Sequence, residues 1–123
     1  MRLPSWMIAA LTLTILFATA VAHGQEKQRE TQLRTVRGVV GDKDDTPLAG
    51  SIVFLKNTRT QTVKTYRTDE GGNYRFSGLD PNVDYEIHAE HDDQTSRTHA
   101  VSSFDTHKEI VLNLKVNQKR NKP

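Results

Sequence analysis

Acidic side chains are the first residues in this sequence that could do chemistry. Asp42, Asp44 and Asp45 place three carboxylates within the four residues DKDD. Carboxylates this close repel one another, and a divalent cation such as calcium, which prefers oxygen ligands, would relieve the repulsion. Lys43 offsets part of it, and the alternative interpretation is an acidic loop in contact with water. The loop is therefore a weak candidate calcium site, and we predict no other cofactor.

A second acidic stretch, TDEGGNYRFSGLDP at residues 68–81, has the composition of either a metal loop or a turn. An EF-hand loop needs oxygen ligands at alternate positions and a distant bidentate Glu. Asp69, Glu70 and Asn73 do not have that spacing. The two glycines and the Asn tolerate the positive φ that a hairpin connection requires, and the Asp can accept hydrogen bonds from nearby backbone amides. We interpret the stretch as two turns without a metal, with the inward-facing residues Tyr74, Phe76 and Leu79 between them.

The chain has five histidines and no cysteine, which raises the question of zinc binding or nucleophilic catalysis. A structural zinc site needs four ligands and a catalytic site needs three. His88 and His91 are three apart on a predicted strand and so face opposite sides of it. The others, His23, His99 and His107, lie in different segments. Without a cysteine or a G-x-S-x-G nucleophile elbow, we predict neither a zinc site nor a catalytic residue.

The N-terminal residues have the layout of a secretory signal peptide. Residues 7–22 form an uncharged run that ends in an A-x-A pattern of small residues. A permanent membrane helix needs about 20 apolar residues, and this run is shorter. We predict a signal-peptide helix over residues 1–22 that is cleaved after Ala22, with cleavage after Gly24 or retention as an anchor as alternatives. The predicted location is the periplasm or the outside of the cell, with no stable membrane span after cleavage.

The charge balance argues against nucleic acid as a partner. Seventeen Lys and Arg residues against fifteen Asp and Glu residues give a formal net charge of +2. Nucleic-acid binding requires a clustered basic face, and the middle of the chain has no such cluster. Residues 117–123 form a basic tail, which we interpret as a solvated terminus, with docking on an anionic surface as the alternative. Residues 23–34 read as a polar linker.

From residue 35 onward, runs of β-branched and aromatic residues alternate with turn residues, and no segment keeps a helical period. This pattern is typical of an all-β sandwich or barrel. We predict seven strands over residues 35–42, 51–57, 62–68, 74–76, 85–91, 97–101 and 109–116. Because the connections are short, we expect antiparallel pairing and two packed sheets that bury alternating faces.

The same alternation assigns side chains to the two faces of each strand. On the second predicted strand Val53 and Leu55 face the core, so Ile52 and Phe54 face outward. A strand that is apolar on both faces is either covered twice or exposes a patch. We predict that Val39, Ile52 and Phe54 form a partner-binding face. The alternative is that the linker or tail covers them, or that they are isolated exposed residues.

Two blocks of the sequence resemble a known family. The first block is V-x-G-x-V at residues 36–40, Asp42 and PLAGSIVFL at residues 47–55; the second is TDEGGNYRFSGLDP, followed by YEIHA at residues 85–89. Over residues 35–116 the chain resembles the carboxypeptidase regulatory-like domain. The resemblance implies a seven-stranded β-sandwich of transthyretin-like, prealbumin-like type, as found in exported bacterial proteins and beside the catalytic domain of some metallocarboxypeptidases. It also implies a non-catalytic module that acts as a folding aid, spacer or binding domain.

Two related families supply the alternatives. Transthyretin-like hydrolases of 5-hydroxyisourate carry a C-terminal Y-R-G-S motif, which does not occur in this sequence. The Cna-B type adhesin repeat has an internal Lys–Asn crosslink and a catalytic acid. Glu90 lies on a suitable predicted strand for that acid and Asn113 for that Asn, but the first strand lacks the Lys. We therefore predict an exported module, not an enzyme, that binds or scaffolds an envelope protein or glycan. A small hydrolase and a cation-stabilised adhesin-like module are the alternatives.

Overall fold

The computed structural model describes residues 32–121, which form nine β-strands. The strands are β1 (Arg34–Gly41), β2 (Ile52–Asn57), β3 (Val63–Arg67), β4 (Asn73–Leu79), β5 (Tyr85–His91), β6 (Gln94–Ser96), β7 (His99–Val101), β8 (Glu109–Val111) and β9 (Leu114–Lys119). The predicted signal peptide and most of the predicted linker lie outside the described residues. No helix among the described residues is long and apolar enough to cross a membrane.

The strands form two packed layers. In one layer β2 pairs antiparallel with β3 and β5, and β5 pairs with β7. In the other layer β1 pairs with β4 and β8. The two layers are joined because β6 pairs with β5 and β9, while β9 also pairs with β1. The hydrogen-bonded path is β3-β2-β5-β6-β9-β1-β4, with β3 and β4 at its two ends. The predicted all-β sandwich is confirmed.

The core lies between the layers and consists mainly of side chains that the alternation predicts to point inward. Its buried members are Val36, Val40, Val53, Leu55, Tyr74, Phe76, Leu79, Val83, Tyr85, Ile87, Ala89, Val101, Leu114 and Val116. Burying one large apolar side chain stabilises the fold by about 1.5–3 kcal/mol. The Tyr74 hydroxyl donates a hydrogen bond to the Leu112 carbonyl at 2.5 Å, and burial raises the pKa of Tyr74, so the phenol stays protonated.

The pairing of β1 corrects the prediction of a wholly antiparallel sandwich. β1 runs parallel to both β8 and β9, with Val36 opposite Ile110 and Val40 opposite Leu114. Short connections favour antiparallel neighbours, but residues 102–108 between β7 and β8 are long enough to carry the chain from one layer to the other. The direction of β8 is therefore set by that crossing and not by a hairpin.

The number of strands also differs from the seven predicted. The sixth predicted strand is replaced by two short strands, β6 and β7, and the last predicted strand is interrupted at Leu112 and Asn113. The interruption has a side-chain cause, because Val39 donates its backbone N–H to Oδ1 of Asn113 at 3.0 Å. A carboxamide thus replaces a backbone carbonyl in the ladder. After it, β9 continues to Lys119, through residues that the sequence pattern assigned to the tail.

The TDEGGN stretch is a tight turn between β3 and β4. Asp69 Oδ1 accepts hydrogen bonds from the backbone N–H groups of Gly71 at 3.0 Å and Asn73 at 2.9 Å. The Asn73 amide, above all, holds the pKa of Asp69 below its usual value. Gly72 has a φ of +75°, which glycine adopts without steric cost. The interpretation of this stretch as a turn is confirmed.

Candidate binding surfaces

The outer side of β2 carries the first candidate surface. Ile52 and Phe54 are half-buried and point away from the core, between neighbours that are buried. β2 pairs with β5 so that Phe54 lies directly opposite His88, and the two rings stack with centroids 4.8 Å apart and planes 8° apart. A stacked aromatic pair contributes about 0.5–1.5 kcal/mol beyond its buried area. The stack therefore fixes the orientation of the Phe54 ring.

Charged groups hold the His88 ring in place. His88 Nε2 lies 3.1 Å from Glu90 Oε2, and Arg120 donates to Glu90 Oε1 at 2.8 Å. Partial burial acts to raise the pKa of Glu90, but hydrogen bonds from His88 and Arg120 outweigh it and leave the pKa below its usual value. The Glu90 carboxylate stays ionised and connects β5 to the residue that follows β9.

A groove of about 270 Å³ lies beside the Phe54 ring. It is lined by Phe54, Lys56, Val63, Glu86, His88 and Thr98. Val63 is 53% exposed, so an apolar side chain is open to solvent next to the stacked rings. Aromatic surface surrounded by polar groups is typical of a protein-binding site. We call the outer surface formed by Ile52, Phe54, Val63 and His88 the Phe54 face.

Val39, the third residue of the predicted partner face, lies on another surface. It points outward from β1, in the other layer, because its neighbours Gly38 and Val40 face the core. It lines a groove of about 430 Å³ together with Tyr66, Arg75 and other residues of β1, β4 and the β8–β9 segment. We call this the Val39 groove. Alternation predicts the outward direction of Val39 but not the layer to which its strand belongs, so the predicted face separates into two surfaces.

Arg34 falls in the predicted linker, but its side chain is only 2% exposed. Its guanidinium donates hydrogen bonds to four backbone carbonyls, those of Asp80, Val83, Ser102 and Asp105. These carbonyls belong to the β4–β5 turn and to the β7–β8 loop. One side chain on β1 therefore fixes both loops at the same end of the sandwich. No pattern in the sequence indicated that the Arg34 side chain is buried, because Arg34 is charged and adjoins a polar segment.

The β7–β8 loop, residues 102–108, presents the most exposed large apolar side chain among the described residues. Phe104 is 91% exposed. The loop behind it is hydrogen-bonded to the rest of the sandwich, because Ser103 donates its N–H to the Asp84 carboxylate at 2.6 Å and Arg34 donates to two of the loop's carbonyls. The sequence pattern did not indicate this site. The available signal was a lone aromatic residue inside a polar loop.

The sequence profile of the carboxypeptidase regulatory-like domain matches residues 35–116, more than half of the 123 residues. The chain belongs to the carboxypeptidase regulatory-like domain family. The matched residues run from the second residue of β1 into β9 and include every strand of both layers. They are also the residues over which the two sequence blocks resemble the family, so the assignment made from those blocks is confirmed.

Curated relatives of this carboxypeptidase regulatory-like domain are much longer proteins. Serine-aspartate repeat-containing protein D of Staphylococcus aureus (strain Newman) is 35% identical over 75 residues, which are 61% of this chain and 6% of that protein. Serine-aspartate repeat-containing protein I of Staphylococcus saprophyticus is 39% identical over 59 residues, which are 48% of this chain and 3% of that protein. The chain thus spans a small fraction of the length of these relatives.

Solved structures show the same fold at low sequence identity. The major pilin subunit BcpA of Bacillus cereus has a TM-score of 0.55 at 14% identity, and the match covers 72% of this chain and 31% of the BcpA chain. The C-terminal domain of the shaft pilin spaA from Lactobacillus rhamnosus GG has a TM-score of 0.51 at 9% identity, and the match covers 71% of this chain and 98% of the pilin domain. Catechol 1,2-dioxygenase from Acinetobacter sp. ADP1 has a TM-score of 0.53 at 13% identity, and the match covers 78% of this chain and 55% of the enzyme chain. Because pilins and enzymes share the fold, the fold alone does not define an activity.

The acidic DKDD loop, between β1 and β2, has hydrogen-bonding partners of its own. Asp42 Oδ1 accepts from the backbone N–H groups of Thr46 at 2.9 Å and Asp44 at 2.8 Å, and these bonds hold the pKa of Asp42 below its usual value. Asp45 forms an ion pair with Lys115 at 3.4 Å. No group of three or more metal-ligating side chains converges in the part of the chain that is described. These contacts do not test calcium binding, and the loop stays a weak candidate site.

A Ser–His–Asp series of contacts occurs where β5 ends. Ser51 Oγ lies 3.0 Å from His91 Nδ1, and His91 Nε2 lies 3.6 Å from Asp92 Oδ2. A nucleophilic serine must reach the reacting atom of a substrate, but Ser51 is 0% exposed. These contacts therefore connect the residue before β2 to the end of β5 and do not form a nucleophilic site.

The two residues considered for an adhesin-type crosslink have separate partners. Asn113 accepts the N–H of Val39 in one layer, whereas Glu90 binds His88 and Arg120 on the outer side of the other layer. The structure therefore gives the candidate acid and the candidate crosslinking Asn separate hydrogen-bonding partners in different layers.

Proposed function

We propose that this carboxypeptidase regulatory-like domain is an exported, non-catalytic module that binds an envelope protein through the Phe54 face. The observation that carries the proposal is the stacking of Phe54 on His88 beside the exposed Val63. The outer side of a half-exposed sheet is normally polar, and the apolar cluster interrupts that pattern. A partner protein that covers it would remove aromatic and aliphatic surface from water.

The side chains around Phe54 and His88 are already held in place, so few of them would have to become ordered when a partner binds. Rigid aromatic residues with a polar rim are the groups that contribute most to protein interfaces. The Phe54 ring is held by His88, which Glu90 and Arg120 hold in turn, so its orientation is set before a partner arrives. Preorganised side chains lose less conformational entropy on binding.

Export and lack of catalysis have separate support. The signal-peptide pattern of residues 1–22 supports export, as does the presence of two pilin subunits among the structures that share the fold. The absent Y-R-G-S motif and the fully buried Ser51 argue against a hydrolase. A spectrophotometric assay with 5-hydroxyisourate should show no rate above buffer, and a rate above buffer would establish the hydrolase alternative.

The binding proposal is tested by comparing the wild-type protein with an Ile52→Ser/Phe54→Ser variant and a Val111→Ser control. Val111 is 58% exposed on β8, in the other layer, so the control removes exposed apolar area away from the Phe54 face. Immobilised proteins of confirmed fold are incubated with envelope extract, and the captured proteins are quantified by mass spectrometry. We expect capture by the wild type and the control only. Equal capture by all three proteins would overturn the proposal.

The exposed Phe104 supports a second candidate function, the binding of a neutral glycan at the loop end of the sandwich. The β2–β3 turn is tied to the β4–β5 turn, because Arg59 donates to the Asn82 carbonyl at 3.2 Å and Thr58 Oγ1 donates to the Asp84 carbonyl at 2.8 Å. The Asp84 carboxylate binds the Phe104 loop, so three loops meet at this end. An aromatic ring flanked by amides and hydroxyls can contact the apolar face of a sugar and hydrogen-bond its hydroxyls.

Isothermal titration with soluble neutral oligosaccharides released from the envelope tests the glycan candidate. We expect heat of binding with the wild type and with the Ile52→Ser/Phe54→Ser variant, and none with Phe104→Ala. The absence of heat with the wild type would remove this candidate and leave protein binding by the Phe54 face unaffected.

A further inference from the structure

β3 is an end strand whose outer edge has free backbone groups. Asn57 donates its N–H to the Thr62 carbonyl at 2.8 Å, and hydrogen-bonded positions alternate along an antiparallel pair. The N–H and C=O groups of Val63, Thr65 and Arg67 therefore point away from β2. All five residues of β3 are exposed, and no strand in the described part of the chain pairs with this edge.

The side chains along this edge are cationic. Lys64 and Arg67 belong to β3, which has no acidic residue, and Arg75 of β4 lines the neighbouring Val39 groove. Among the described residues, none of these three cations has a carboxylate within 4.0 Å. Tyr66 lies between the charges, 39% exposed, with its ring edge-on to Phe76 at 5.9 Å. The edge and the neighbouring groove thus combine three cations that form no close ion pair with one accessible aromatic ring.

We infer that β3 binds an extended acidic segment of a partner protein as an added β-strand. The alternate free N–H and C=O groups require a polypeptide in extended conformation, because only its backbone repeats donors and acceptors at the same spacing. The cations require carboxylates on that segment. A second copy of this chain fits poorly, since pairing β3 with itself would add Lys64 and Arg67 of the second copy to an edge without acids.

The groove beside β3 explains how such a segment would gain specificity. Side chains on one face of the added strand would lie on the side of Tyr66 and Lys64, next to the Val39 groove. An apolar side chain there can cover the Tyr66 ring, and an acidic one can pair with Lys64 or Arg75. Backbone hydrogen bonds would hold the strand, while alternate side chains would be selected by the groove. The inference does not depend on binding at the Phe54 face.

A titration of the purified protein with a fluorescein-labelled octapeptide of alternating glutamate and valine, followed by anisotropy, tests the inference. We expect saturable binding that weakens as salt concentration rises, because exposed charges are screened. A fully N-methylated form of the peptide lacks backbone donors and should not bind. A peptide with lysine in place of glutamate should not bind either. Failure of the wild-type protein to bind the octapeptide would overturn the inference.

Variants separate strand addition from simple charge attraction. Thr65→Pro removes one outward N–H without affecting the ladder to β2, and Lys64→Glu/Arg67→Glu reverses the charge of the edge. Each should weaken peptide binding at least about tenfold, whereas Lys43→Glu in the β1–β2 loop and the Phe54-face double variant should leave it within about twofold. Binding of the N-methylated peptide as tightly as the parent would show an electrostatic patch only and contradict strand addition. So would a stable wild-type dimer that the peptide does not dissociate.

Discussion

Arg34 is the residue on which the arrangement of the end loops most depends. Its guanidinium is almost fully buried, and its two terminal nitrogens donate hydrogen bonds to four backbone carbonyls from two different loops. Its Nε has no hydrogen-bonding partner among the described residues. A buried charge costs free energy unless it is hydrogen-bonded, so Arg34 contributes to stability only while both loops are in place. The position of Phe104 is thereby coupled to the first residue of β1.

Replacing Arg34 by Met should lower the free energy of unfolding by about 2–4 kcal/mol, because four carbonyls lose a charged donor. Urea denaturation followed by circular dichroism measures the change. The matched control is Arg37→Met, since Arg37 lies on the exposed side of the same strand and pairs with Glu109. An exposed ion pair contributes at most about 1 kcal/mol, so the control should be nearly neutral. Similar losses in both variants would contradict the role assigned to Arg34.

Gly38 allows β1 to pass against the segment that joins β8 and β9. A Cβ at this position would lie 1.9 Å from the carbonyl oxygen of Leu112. We expect Gly38→Ala to destabilise the fold by more than about 3 kcal/mol or to prevent folding, because backbone atoms would have to move. Gly78→Ala is the control: its φ is +72°, but a Cβ would meet nothing within 4 Å, so the cost is about 1 kcal/mol. Equal melting temperatures for the two variants would count against this packing.

Asp84 links the stability of the loop end to pH. The N–H of Ser103 lies 2.6 Å from its carboxylate and holds the pKa of Asp84 below the ordinary value of 3.8. A carboxylate with a lowered folded-state pKa stabilises the fold above its unfolded pKa, and that stability is lost as pH falls through the folded value. We expect Tm to fall below about pH 4, less steeply for Asp84→Asn than for the wild type. The same dependence of Tm on pH in the wild type and in Asp84→Asn would show that the Asp84 carboxylate does not contribute to stability.

At the scale of the elements, period-two alternation predicted the buried side chains of β2, β4 and β5 correctly. Leu55, Tyr74 and Ile87 are all in the core, as their spacing indicated. Alternation works here because the direction of a side chain on a strand follows from its immediate neighbours. The sequence therefore predicted the all-β class and most of the core, and the turn between β3 and β4 followed from its Asp and glycines.

Features that depend on distant contacts were not predictable in this way. Arg34 donates to a carbonyl 68 residues away, and its burial has no local signature. The parallel pairing of Val36 with Ile110 exists only because residues 102–108 cross from one layer to the other. Alternation gives the face of a strand but neither its layer nor its partners, which is why these features were missed.

The Phe54 face likewise combines a feature that strand alternation predicts with one that depends on distant contacts. The outward direction of Ile52 and Phe54 follows from alternation, and the structure places both on the outer side of β2. The stack of Phe54 on His88 depends on the register between β2 and β5, which are not consecutive strands. No turn connects these strands directly, so no turn rule could predict that register. The Phe54 face was therefore predictable as a location but not as a geometry.

At the scale of the whole molecule, the sandwich presents separate features on separate surfaces. The Phe54 face lies on the outside of one layer, the free edge of β3 adjoins it, and the Phe104 loop lies at one end. These surfaces share the core but not their functional side chains, so substitutions on one should leave the others intact. With no cysteine in the chain, the whole arrangement depends on packing and hydrogen bonding.

The contacts of the acidic DKDD loop predict how calcium affects the thermal stability of the whole domain. Asp42 is already hydrogen-bonded by backbone amides and Asp45 is paired with Lys115, so repulsion among the loop carboxylates is partly relieved within the chain. We expect the same Tm by scanning calorimetry in calcium and in chelator. A binding cation would stabilise the folded state in proportion to the logarithm of its concentration. A Tm that rises with calcium and is lost in Asp42→Asn would establish the cation-stabilised alternative.

Binding of a partner protein at the Phe54 face of this carboxypeptidase regulatory-like domain, as proposed above, predicts how affinity changes when that face is altered. Its most direct test is the dissociation constant of the purified captured partner for three proteins: wild type, Ile52→Ser/Phe54→Ser and Val111→Ser. Central aromatic residues carry most of the free energy of an interface. We predict a Kd at least about tenfold higher for the double variant and within about twofold of wild type for Val111→Ser. An unchanged Kd for the double variant would contradict binding at the Phe54 face.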